Sequence, residues 1–87
     1  MFAVSWTDGA LDELADAFVQ TDASGRSVIE NAVTKLNAHL AAYGGNLGES
    51  RSGYRRITFE SPCAIMFTAG DPDDLAGLVR VIHFWTF

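Results

Sequence analysis

A single cysteine, Cys63, is all the thiol chemistry available to this 87-residue chain. That excludes an intramolecular disulfide and any multi-cysteine metal cluster. Cys63 opens the apolar run Cys63-Ala64-Ile65-Met66-Phe67, where a thiol behaves as a small buried hydrophobe. Histidine is equally scarce. His39 and His83 fall on different elements, and neither has carboxylate or histidine neighbours at ligand spacing, so no metal site and no cofactor is expected. There is no nucleophile elbow, phosphate loop or dinucleotide fingerprint. Basic residues number six against eleven acidic ones, a net charge of −5, which argues against a general nucleic-acid coat protein. No basic leader and no apolar stretch of membrane-spanning length occurs, so the expectation is a cytoplasmic protein without a membrane partner.

The remaining composition favours folding. Hydrophobic residues make up 48% of the chain, ten of its residues are aromatic, and 20% are charged. One domain spanning residues 1–87 is expected, with a thin core to which the aromatics contribute heavily.

Hydrophobic periodicity divides the chain. Phe2, Val4 and Trp6 alternate with small residues, the mark of a short half-buried strand. Thr7 is placed to cap a helix with Asp8 in its first turn, and Leu11, Leu14, Ala15, Phe18 and Val19 predict its apolar stripe. Asp22 or Ser24 can cap a second helix, whose stripe runs through Ile29, Ala32, Val33, Leu36 and Leu40, with Tyr43 closing it. Gly44-Gly45 stops that helix. Residues 44–53 form a loop, after which the period changes to two. Tyr54, Arg56, Thr58 and Glu60 share one face of a strand; Arg55, Ile57 and Phe59 share the other. Ser61-Pro62 turns the chain into a second strand over residues 63–69. Gly70-Asp71-Pro72-Asp73-Asp74 turns it again, towards a last strand from about Leu78 to Trp85. The implied fold is α+β in the order β-α-α-β-β-β, a helical hairpin packed on one face of a small antiparallel sheet.

Charge follows the same division. Residues 1–50 hold two basic and seven acidic side chains, and residues 51–87 hold four of each. Arg51, Arg55 and Arg56 cluster around Tyr54, a pattern suited to gripping phosphate or carboxylate and stacking on a base. Its alternative is a solvated strand end balancing Glu49 and Glu60. Arg80, between Val79 and Val81, is expected on the uncovered sheet face with Glu60 as its counter-ion. His83 is placed to serve as general acid or base if any chemistry occurs. The acidic pairs Asp12 with Asp16 and Asp73 with Asp74 read as solubility and turn chemistry. Trp85 and Phe87 form either the edge of the core or an exposed partner-binding lip.

Taken together, certain residues resemble the RelE/ParE superfamily, toxin components of type II toxin–antitoxin systems of the plasmid-stabilisation kind. They are Val4-x-Trp6-Thr7, Ala10-Leu11-x-Glu13-Leu14, Leu36-x-x-x-Leu40, Gly48-x-x-Arg51-x-Gly53-x-Arg55-Arg56, Pro62-x-x-Ile65-x-Phe67 and Val79-Arg80-Val81-Ile82-His83. The resemblance implies a growth-inhibiting toxin neutralised by a cognate antitoxin and acting on DNA gyrase or on translation. A RelE-like member would cleave messenger RNA on the ribosome. For that activity Arg56, Arg80 and His83 are the catalytic candidates, with Arg51, Tyr54, Arg55, Arg56 and Arg80 as target contacts. The chain departs from the nuclease pattern at Thr58, at Ala64 and in its short tail, where basic groups would be needed to stabilise phosphodiester charge. Gyrase poisoning and an inactive interaction module that kept the fold are the alternatives. A homodimer is left open.

Overall fold

A computed structural model describes residues 1–87. The chain runs through β1 (Ala3–Trp6), α1 (Asp8–Val19), α2 (Ala23–Tyr43), a short 3-10 turn (Gly44–Asn46), β2 (Glu49–Ser50), β3 (Arg55–Glu60), β4 (Cys63–Ala69) and β5 (Leu78–Thr86). The α+β order read from the sequence is the order observed, with the two-residue β2 added inside the loop. The five strands form one sheet, ordered β1-β5-β4-β3-β2. The meander pairs antiparallel, and β1 joins β5 in parallel, so the sheet is mixed. The helical hairpin carries the chain over one face to the far edge at β2, and the meander brings it back to β5 beside β1, the long connection that a parallel pair requires.

Local chemistry sets the element ends. The Thr7 hydroxyl accepts from the Ala10 N–H at 3.1 Å, and an Asp22 carboxylate oxygen accepts from the Gly25 N–H at 2.8 Å. Each supplies one of the acceptors that a helix start lacks. Gly44, at φ +50°, ends α2 with the ring of Phe2 lying where a Cβ would sit. A side chain there would therefore clash as well as strain the backbone.

The core lies between the hairpin and one sheet face. Ala10, Ile29, Ala32, Leu36 and Leu40 meet Cys63, Ile65, Phe67, Val79, Val81 and Phe84. Each large side chain buried here contributes roughly 1.5–3 kcal/mol. Trp6 adds a directional tie, donating from Nε1 to Asn37 Oδ1 at 2.9 Å and so linking β1 to α2. Burial raises the Cys63 thiol pKa, which keeps it protonated and unreactive.

Two expectations about the helices need correction. On α1 the inward stripe is Ala10, Leu14, Ala17 and Phe18, while Leu11, Ala15 and Val19 are exposed. The small Ala10 and Ala17 let the helix approach the sheet closely, which a leucine at those positions would prevent. On α2, Tyr43 is exposed instead of closing the stripe. Its ring lies 6.2 Å from that of His39. No helix is long and apolar enough to cross a membrane.

Candidate functional site

The helices cover one face of the sheet and leave the other open. Residues facing each other across the strands share a face, so the register assigns every side chain. Ser5, Arg80, Thr68 and Arg55 form one cross-strand row on the open face. His83, Met66 and Ile57 form the next, and Trp85, Ala64 and Phe59 the last. The open face therefore grades from a polar end to an aromatic end.

A β-bulge decides the composition of that aromatic end. Met66 faces His83 whereas Phe67 faces Val81, so Ile82 is an extra residue in β5. The extra residue reverses the alternation beyond it. Phe84 consequently enters the core at 2% exposure, and Trp85 turns outward. Trp85 is 36% exposed, Phe59 54% and Phe87 66%. The Phe59 and Phe87 rings meet edge to face, 5.7 Å apart, the arrangement favoured by their quadrupoles. Ala64, between its cross-strand neighbours Phe59 and Trp85, is fully buried although it lies on the open face.

The four arginines of residues 51–80 have four different environments. Arg55 lies on the open face with no salt bridge or side-chain hydrogen bond. It lines a groove with Tyr54, Thr68, Asp71 and Ile82. Arg56 points to the opposite face, where its Nε donates to the Leu47 carbonyl at 2.8 Å and one terminal nitrogen donates to the Gly48 carbonyl at 3.0 Å. Gly48, at φ +70°, permits this approach, because a Cβ there would run into the Ile57 backbone. Arg56 thus clamps the residue 47–48 loop against β3. Arg51 is exposed in the loop and has Glu49 3.4 Å away. Arg80 makes a two-pronged pair with Asp74, Nε to Oδ2 at 3.1 Å and NH2 to Oδ1 at 2.8 Å.

Arg80 is therefore on the open face as expected, but its counter-ion is Asp74. Glu60 faces Cys63 on the covered side and does not reach it. Asp74, read from the sequence as turn chemistry, keeps that role through its bond to the Leu75 N–H and gains a second one. The hydrogen bonds from Arg80 hold the Asp74 carboxyl below the usual carboxylate range, and the same contact raises Arg80. His83 is exposed at the sheet margin, its Nδ1 3.3 Å from Glu13 Oε1.

The fold thus places Arg55 and Arg80, with Tyr54 beside Arg55, at the polar end of the open face and Trp85 and Phe87 at its aromatic end, and separates Arg56 from both. Arg55 and Arg80 are two strands apart, on the order of 10 Å between backbones. Phe59 and Thr68 belong to the face but were not among the sequence candidates. The alternation that placed Arg55 also places Phe59, so that signal was present. The open face offers one guanidinium without an ion-pair partner at one end and an aromatic surface at the other, which suits contact with another macromolecule. No group of three histidine, cysteine, aspartate or glutamate side chains is placed to hold a metal ion.

No family model matches the chain, and no curated protein matches it in sequence. Among solved structures, its fold is similar to that of a chain of the chromosomal ParDE TA system from P. aeruginosa. The TM-score is 0.64 at 17% sequence identity, over 99% of this chain and 96% of that one. The likeness is one of fold. It spans the helical hairpin and the sheet together.

Proposed function

We propose that the chain is the toxin-type member of a toxin–antitoxin pair, inhibiting growth through a surface contact and neutralised by a cognate antitoxin. The fold likeness to a chain of a ParDE TA system, over nearly the whole of both chains, carries this reading. The open sheet face supports a contact mechanism. It offers free Arg55 together with exposed Phe59, Trp85 and Phe87, the combination of cation and aromatic anchors that dominates binding energy at interfaces. DNA gyrase and the translation machinery are the targets the sequence resemblance implies.

RNA cleavage is the weaker alternative. Stabilising a developing phosphodiester charge calls for convergent cations. Here Arg56 faces away and is engaged by the Leu47 and Gly48 carbonyls, and Arg80 is neutralised by Asp74.

The test is tightly controlled induction in a bacterial host, with and without the product of the neighbouring reading frame. Loss of viable count that co-expression restores is the expected result. Folded, soluble chain with no effect on growth would favour an inactive interaction module. Cleavage of messenger RNA on programmed ribosomes by purified chain would favour the nuclease.

A further inference from the structure

The edge of β5 beyond β1 is built to be paired and has no strand beside it. The β1 pairing ends at Trp6 opposite Val81, where the Thr7 N–H donates to the Val81 carbonyl as the chain turns into α1. On the β4 side, the Phe87 N–H donates to the Pro62 carbonyl. Antiparallel alternation then turns the backbone groups of Phe84 and Thr86 away from β4, towards this edge. Glu13 confirms the direction, since its Oε1 accepts the Phe84 N–H at 3.4 Å. A carboxylate there substitutes for the carbonyl of a missing neighbour strand, a recognised way of protecting an edge.

A groove of about 300 Å³ runs along this edge, walled by Glu13, Asp16 and Ala17 of α1, by its C-cap Gln20, and by Phe84 to Thr86 of β5. These four residues form one helical stripe. Two of them are carboxylates and none is basic. At 3.4 Å the Glu13 contact is long, and the Glu13 side chain is 42% exposed, so an incoming backbone can displace it. Trp85 stands beside the groove and offers aromatic surface to the same segment.

We infer that residues 84–86 form a strand-addition site for an extended lysine- or arginine-bearing segment of a partner protein, an inference that rests on the toxin–antitoxin reading. Main-chain hydrogen bonds to Thr86 supply the attachment, and Glu13 and Asp16 select the charge. An acidic segment is repelled.

The test uses the full chain and a synthetic peptide alternating lysine and valine, followed by amide NMR at saturating concentration. Shifts confined to residues 83–87 and to the facing wall of residues 13–20, with slowed exchange of the Thr86 amide, are expected, and none from the same peptide carrying glutamate for lysine. Thr86→Pro removes the outward N–H and leaves the β4 bonds intact, a substitution an edge strand tolerates. It should abolish binding while circular dichroism stays unchanged. Glu13→Gln and Asp16→Asn should each weaken binding about threefold at low salt.

No response at 84–86, equal binding of the glutamate peptide, or undiminished binding by Thr86→Pro overturns the proposal. So does a homodimer that Thr86→Pro dissolves, which would assign the edge to a second copy. Antitoxin neutralisation that survives Thr86→Pro sinks the edge and leaves the toxin reading standing. A chain that docks the lysine peptide but never arrests growth does the reverse.

Discussion

Arg55 and Arg56 are adjacent in sequence and lie on opposite faces of β3. Arg56 gives two hydrogen bonds to the carbonyls of Leu47 and Gly48 and serves the fold. Arg55 gives none and faces outward beside Tyr54 and Thr68. The same division runs through the sheet. One face holds Phe67, Val79 and Val81 under the helices, while the other exposes Phe59 and Trp85. Residue type therefore says little about role here. A phenylalanine or an arginine is structural or available for contact according to its parity along the strand.

The comparison breaks most visibly if the covered face is not the one that holds the fold. Phe67→Ala should cost ~3–5 kcal/mol in urea unfolding. A domain of this size has a total stability of only roughly 4–13 kcal/mol, so the variant should be largely destabilised or unfolded. Phe59→Ala should cost about 1 kcal/mol or less and instead weaken antitoxin binding in a titration. Comparable destabilisation by the two variants would erase the distinction between the faces.

The arginines offer a finer test. Arg56→Ala removes donors from two loop carbonyls and should destabilise by about 1–3 kcal/mol, seen as a lower melting temperature. Arg55→Ala should fall within about 0.5 kcal/mol of the parent. Identical melts for both would contradict the clamp.

The smallest effect concerns Asp74. Because its pKa is depressed in the folded state, the stability it contributes is complete above the ordinary carboxylate pKa of about 3.9. That contribution is lost as pH falls through the lower folded value. Carbon-detected NMR titration should find Asp74 titrating below the ordinary carboxylate range, and Arg80→Ala should return it to that range. An unchanged Asp74 titration in that variant would show that Arg80 is not its partner.

Much of this fold was legible in the residues, because alternation and helical spacing are local properties. Thr7 and Gly44 marked helix ends that the structure bears out, and of the two candidates Asp22 and Ser24 it is Asp22 that caps α2. The period of two separated Arg55 from Arg56 correctly. It could not say which face the helices cover, since that depends on contacts distant in sequence. The parallel β1–β5 pairing is likewise set by where the hairpin delivers the chain. The α1 stripe differs from the expected one because the larger Leu11 and Val19, together with Ala15, lie on the outer side, whereas close packing on the sheet places the small Ala10 and Ala17 inward. Trp85 could not be oriented from pattern, because one bulged residue, Ile82, inverts every side chain after it. Asp74 looked like turn chemistry and is also the counter-ion of Arg80, six positions away and brought close by the 70–77 loop.

On the proposed function the open face, with Arg55 on it, is the contact surface, while Arg56 belongs to the scaffold. The most direct measurement is viable count after controlled induction of Arg55→Ala, with the melting temperature of the purified variant determined in parallel. A melt like the parent's together with a marked loss of growth arrest is expected. Full arrest by a variant that melts like the parent would contradict it.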